Sequence, residues 1–95
     1  MAADGPTMSE QAKPIIFTHH ARSRCAQRGT TEADVAAAIR TGNREPAQRG
    51  LWLYRLNLEY QREWDGVRYA VQQVAPVVDE EERRLVVVTV YTYYF

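Results

Sequence analysis

The hydrophobic period of this chain changes once, near residue 43, and that change constrains the fold more than any other feature. Before it, apolar residues recur at helical spacing, with Val35, Ala38 and Ile39 forming one narrow stripe. After it they alternate. Trp52, Tyr54, Leu56, Leu58 and Tyr60 fall on one face, with Arg55, Asn57 and Glu59 largely on the other. Helices gathered at one end and strands at the other predict an α+β domain. At 95 residues, the chain makes one domain with a single core and little to spare.

Boundaries follow from local chemistry. Residues 1–13 are polar and aperiodic and contain Gly5 and Pro6, so they are expected to form a disordered leader to a single domain over 14–95. Pro14-Ile15-Ile16-Phe17 reads as an extended apolar entry to the first helix. Thr18 is placed to cap that helix and Gly29 to end it in the left-handed conformation. Thr31 caps a second helix, with Glu32 and Asp34 at its positive end and Gly42 after its last turn. Asp65-Gly66 signals a hairpin joining Leu51–Tyr60 to a strand over Val67–Ala75, which Pro76 is expected to end or place at an edge. Asp79-Glu80-Glu81-Glu82 reads as a solvated turn. Leu85–Phe95 is apolar or β-prone on both faces, the pattern of a central strand covered on each side.

Charge narrows the possible partners. Twelve basic and twelve acidic residues give zero formal charge, which excludes a histone-like nucleic-acid binder. Gln11 to Thr31 holds no acidic residue, yet it contains Lys13, Arg22, Arg24, Arg28 and both histidines. One basic patch on a neutral protein favours a small anion or a single docked strand over long duplex. Eleven of the twelve basic residues are arginine, the side chain suited to bidentate phosphate binding; a GC-rich coding sequence gives the same bias. The lone Cys25 forms no internal disulfide and fits a reducing, cytoplasmic setting. No apolar run approaches the ~20 residues of a membrane span, and the N-terminus lacks the apolar core of a secretory signal.

His20, Arg24 and Arg28 recur at i, i+4 and i+8, which stacks an imidazole and two guanidiniums on one side of the first helix. Like charges in a row cost a few tenths of a kcal/mol per pair, and a bound anion would offset that cost. Arginines paired to carboxylates elsewhere, with a histidine that caps the helix, explain the row equally well. His19 lies one residue off the row and reads as exposed or capping. Trp52 and Trp64 read as core or rim, and Tyr91, Tyr93 and Tyr94 as strand packing. His19, His20 and Cys25 supply too few donors, at the wrong spacing, for a metal site, so neither metal nor cofactor is expected.

Thr18-x-His20-Ala21-x-x-Arg24-x-x-x-Arg28-Gly29, the short acid-capped helix ending at Gly42, and the closing Val87-Val88-Thr89-Val90-Tyr91 together resemble a family of small bacterial domains of unknown function. That family is grouped with the barnase–EndoU–colicin–RelE (BECR) ribonucleases and toxins. The resemblance spans about residues 15–92. It implies two N-terminal helices on a roughly four-stranded antiparallel sheet, RelE/barnase-like, with function on the sheet face and its rim. It also implies that His20, Arg24, Arg28, Thr89 and Tyr91 are the recurring site residues: His20, Arg24, Arg28 and Tyr91 are the expected catalytic set, and Thr89, with Arg22 of the basic patch, is expected to bind RNA. Thr30 departs from the pattern, which usually has an apolar residue after the glycine.

Metal-independent RNA cleavage needs a base for the 2′-hydroxyl, positive charge for the phosphorane-like transition state and an acid for the leaving oxygen. Two neighbouring guanidiniums disfavour a second positive charge on His20, which suits it to the base role. Arg24 and Arg28 would then hold the phosphate, while Tyr91 donates a hydrogen bond or stacks on a base and Thr89 binds a phosphate oxygen. The leading expectation is therefore a small cytoplasmic endoribonuclease of toxin type. A non-catalytic module of the same fold, binding RNA or a protein partner such as an antitoxin or immunity protein, is the alternative. An edge-strand dimer with a scaffolding role is a third.

Overall fold

The computed structural model describes residues 13–95; the predicted leader, apart from Lys13, lies outside the described residues. A short strand β1 (Ile15–Phe17) leads into helix α1 (His19–Arg28) and then helix α2 (Glu32–Thr41). Strands β2 (Asn43–Pro46), β3 (Trp52–Trp64), β4 (Val67–Glu80) and β5 (Leu85–Tyr94) complete the chain, with one 3₁₀ turn at Gln48–Gly50. Both helices start where a threonine can cap them: Thr18 Oγ1 accepts from the Ala21 N–H at 3.0 Å, and Thr31 Oγ1 from that of Asp34 at 3.1 Å. Gly29 ends α1 at φ 76°, the left-handed value that a side chain disfavours. The Asp65-Gly66 turn has positive φ at both residues, the requirement of a tight hairpin between twisted strands.

The sheet has five strands in the order β1-β5-β4-β3-β2. This corrects the expectation of about four antiparallel strands, because β1 pairs in parallel with β5 through Ile15↔Leu85 to Phe17↔Val87. The entry segment is therefore part of the sheet. Three residues are enough, since the chain turns directly into α1, which packs along β5. Beyond Val87, β5 has no second strand beside it, so β4 is the strand central throughout. Pro76 corrects another expectation by lying inside β4, fully buried. The β3–β4 ladder passes from Leu53↔Val77 to Leu56↔Val74, so the missing proline N–H falls where the pairing is interrupted. Asp79 and Glu80 also belong to β4, leaving only residues 81–84 for the acidic turn.

One face of the sheet carries the core. Ala21 and Cys25 of α1 and Val35, Ala38 and Ile39 of α2 pack on Tyr54, Val74, Val78, Val87 and Val90. Burial pushes the Cys25 thiol up from its ordinary value, and nearby Glu32 adds to the effect. The other face was expected to be covered as well, but no described helix or strand lies on it, and only the turn around Gln48–Gly50 borders it. Tyr91 and Tyr93 remain 42% and 44% exposed there. Two short helices can cover only one side of a five-stranded sheet, and strand alternation places Thr89, Tyr91 and Tyr93 on the side they leave.

At the far end of α1 an aromatic group closes the fold. Tyr94 lies 5.3 Å from both Trp64 and Tyr60 and 5.4 Å from Tyr69, centroid to centroid. Its hydroxyl donates to the Arg28 carbonyl at 2.5 Å, and Thr92 Oγ1 donates to the same oxygen at 3.0 Å. Two carbonyl groups left by the end of the helix are thus tied down: Arg28 by these side chains, and Gly29 by the Gln72 amide at 2.9 Å. A Cβ at Gly29 would meet the Trp64 ring and lie 2.8 Å from the Tyr94 hydroxyl oxygen. Gly29→Ala combines that clash with a left-handed alanine, a loss of about 2 kcal/mol or more, equivalent to roughly 10 °C in Tm for a domain of this size. Thermal unfolding followed by circular dichroism checks it; an unchanged midpoint would show that the Trp64 hairpin moves aside freely.

Candidate functional site

α1 places its charged row over the margin of β5, just past the end of β1. Ala21 and Cys25 point into the core, so residues one position earlier, His20 and Arg24, are turned to the side and meet the strand where β1 no longer flanks it. There His20 Nε2 lies 3.3 Å from Arg24 Nε and 3.3 Å from Thr89 Oγ1. Three of the expected site residues, from opposite ends of the chain, therefore meet at one nitrogen. An Arg Nε–H only donates, so in the contact with Arg24 it is Nε2 that accepts. Arg24 also donates to the Gln27 side-chain oxygen, a partner the sequence did not single out. His20 itself is exposed, so a ligand reaches it without displacing any core element.

The remaining site candidates lie around this centre. Arg28 continues the row one turn further, and no hydrogen bond among the described residues ties its guanidinium to His20 or Arg24. Its Nε is buried without a hydrogen-bond partner, so Arg28 has donor capacity in reserve. Arg22 lies on another side of α1 and pairs with Glu32 at 3.3 Å, with more than half of the Arg22 side chain exposed. An exposed pair of that kind is worth at most about 1 kcal/mol, which a phosphate readily exceeds. Tyr91 stands two residues beyond Thr89 on the helix-free face of the sheet. It shares a concavity with Thr89 and Tyr93 rather than a hydrogen bond with His20. His19 is exposed. Among the described residues, no three of His, Cys, Asp and Glu come together as metal ligands do.

Both tryptophans have their own explanations. Trp52 packs against the core and carries the Arg44 guanidinium 3.8 Å from its ring centroid, and Arg44 in turn reaches Tyr54 and Glu80. Trp64 belongs to the aromatic closure at the end of α1. Neither is near His20 in the pattern of contacts. Among the described residues Arg24 is the arginine whose guanidinium group reaches His20. Arg24→Ala should weaken phosphate or RNA binding about tenfold or more, the scale of one charge-assisted hydrogen bond. Arg24→Lys keeps the charge but loses the fork and should fall between the two. Titration with a short single-stranded RNA in low salt reads both variants, and equal affinity in all three proteins would remove Arg24 from the site.

No family model, curated protein or solved structure matches this chain. The site is therefore defined by its geometry: a histidine on a sheet margin, in contact with an arginine and a threonine, with further guanidiniums along the same helix. No described helix is long and apolar enough to cross a membrane.

Proposed function

We propose that this chain is a small metal-independent endoribonuclease of toxin type, with His20 as the base and Arg24 and Arg28 holding the scissile phosphate. The observation that carries the reading is the convergence of Arg24 Nε and Thr89 Oγ1 on His20 Nε2, each at 3.3 Å. Both contacts are long for hydrogen bonds and therefore weak. A phosphodiester anion attracts Arg24 more strongly than an imidazole nitrogen does, so substrate draws the guanidinium away and leaves Nε2 to accept a proton. His20 then takes the proton of a 2′-hydroxyl as the 2′-oxygen bonds to phosphorus. The bond from phosphorus to the 5′-oxygen breaks, and that oxygen is protonated from solvent or by a donor group at the site. Thr89 supports a phosphate oxygen, Arg22 contacts the flanking strand after leaving Glu32, and Tyr91 offers a stacking or hydrogen-bonding surface beside the cut. The resemblance of the α1 motif, and of the order of elements predicted after it, to a family grouped with the BECR superfamily supports the same reading.

The same engaged nitrogen also favours a second reading. A histidine whose lone pair is already shared with Arg24 and Thr89 serves equally well as a rigid binding surface, in a non-catalytic module that docks RNA or a protein such as an antitoxin or immunity protein. Incubating the purified protein with single-stranded RNA in excess EDTA separates the two. The nuclease reading predicts shortened products over time, and bound but intact RNA would establish the module instead.

A further inference from the structure

A second feature adjoins the His20 site, and the mechanism above uses only its Thr89–Tyr91 edge. On the helix-free face a cavity of about 450 Å³ opens between the 3₁₀ turn and β5, within the size range of small-molecule sites. Leu53 and Val77 form an apolar floor, Tyr93 stands at the wall, and Gln48 and Arg49 belong to the turn that borders it. Thr89 lines the same cavity and also contacts His20. Cavity and histidine are thus joined through one side chain.

Arg49 is unusual in two ways. Its backbone is left-handed, at φ 61° and ψ 30°, a conformation that non-glycine residues adopt at a cost. Its guanidinium makes no hydrogen bond or ion pair with the described residues, unlike Arg55 on the same face, which is held by Glu45 and Gln73. A strained residue with unused donors, beside an apolar and aromatic cavity, is arranged for a flat ligand with acceptors on its edge.

We propose that this cavity holds one nucleobase of a single-stranded RNA and thereby sets where the strand is cut, an inference that rests on the ribonuclease reading of His20. The planar ring stacks against tyrosine over the aliphatic floor, and Arg49 and Gln48 read its polar edge. Thr89 places the sugar-phosphate of that nucleotide toward Arg24. A second copy of the chain is a poorer occupant, because pairing this face with itself would desolvate two Arg49 guanidiniums that have no partner among the described residues.

The test is a nuclear magnetic resonance titration of wild type, Arg49→Gly and Tyr93→Ala with each of the four nucleoside 3′-monophosphates, using inorganic phosphate as the control. The nucleotides should shift the resonances of residues 48–53 and 89–93, and inorganic phosphate should not. One base should bind at least about tenfold more tightly than the weakest, the scale of one well-placed hydrogen-bonded pair. Arg49→Gly, with an unchanged or higher Tm because glycine accepts the left-handed backbone, should lose that preference. Tyr93→Ala should weaken all four. Shifts confined to α1, equal for nucleotides and inorganic phosphate, would overturn the base cavity. Concentration-dependent shifts of the same face without any nucleotide would overturn it in favour of self-association. Parallel cleavage assays separate the two claims: base-selective binding without cleavage removes the nuclease reading alone, whereas cleavage with no base-dependent shifts removes the cavity alone.

Discussion

On the ribonuclease reading, His20→Ala should lower RNA cleavage about 10²–10⁴-fold, the usual contribution of a positioned general base. The variant keeps most of its affinity for RNA, because Arg24 and Arg28 still present their guanidiniums. It also keeps its stability. His20 is exposed, and its side chain makes only the two 3.3 Å contacts to Arg24 and Thr89. Single-turnover cleavage, RNA binding and Tm measured on the same preparation read the three properties separately. Loss of cleavage together with loss of folding would point to a structural histidine. Full activity in the variant would assign the base to another group.

Deleting residues 91–95 removes cooperative folding. These five residues include the pairing partners of β4 from Gln72 to Ala75, and the Phe95 backbone bonds to Ala70 and Val71. They also carry Tyr94, which stacks on Trp64 and ties down the end of α1 through the Arg28 carbonyl. Removing them leaves the β4 edge from Gln72 to Ala75 and the Arg28 carbonyl without these partners, and costs Gln72 its contact with the Tyr94 hydroxyl. Several such losses, each of about 1–3 kcal/mol, are enough to exhaust a domain stability of roughly 5–15 kcal/mol. The truncated chain should be insoluble or molten and show no sharp thermal transition. A soluble truncation with a cooperative melt would mean that β5 is dispensable beyond Val90.

Much of this architecture is legible in the sequence because its signals are local. Thr18, Thr31 and Gly29 act within one helical turn, the alternation from Trp52 to Tyr60 depends on a period of two, and Asp65-Gly66 is suited by itself to positive φ. The parts that were not legible depend on distant partners. Ile15–Phe17 is too short to show a period, and only its parallel pairing with β5 makes it a strand. Pro76 argues locally against a central strand and is accommodated only because the neighbouring ladder is interrupted there. The bare face beside Tyr91 and Tyr93 follows from how far two helices reach, which no pattern within β5 records.

The site divides in the same way. Helical spacing brings His20 and Arg24 together, and the resemblance adds Thr89, which the fold carries to within 3.3 Å of His20. Tyr91 shares a face of β5 with Thr89 but lies two residues, roughly 7 Å, further along the strand, and so falls short of the His20 contact. Gln27 could have been found at i+3 from Arg24. Gln48 and Arg49 could not, because they matter through a left-handed turn that no residue of the Ala47-Gln48-Arg49-Gly50 run except Gly50 announces.

The central claim is that the His20–Arg24–Thr89 constellation cuts RNA by attack of the 2′-oxygen without a metal ion. End-group analysis of cleavage products formed in EDTA tests it most directly, because the chemistry is written on the new termini. The account predicts 2′,3′-cyclic phosphate on one product and a free 5′-hydroxyl on the other. Products bearing a 5′-phosphate, or RNA left intact by an otherwise folded and RNA-binding protein, would contradict it.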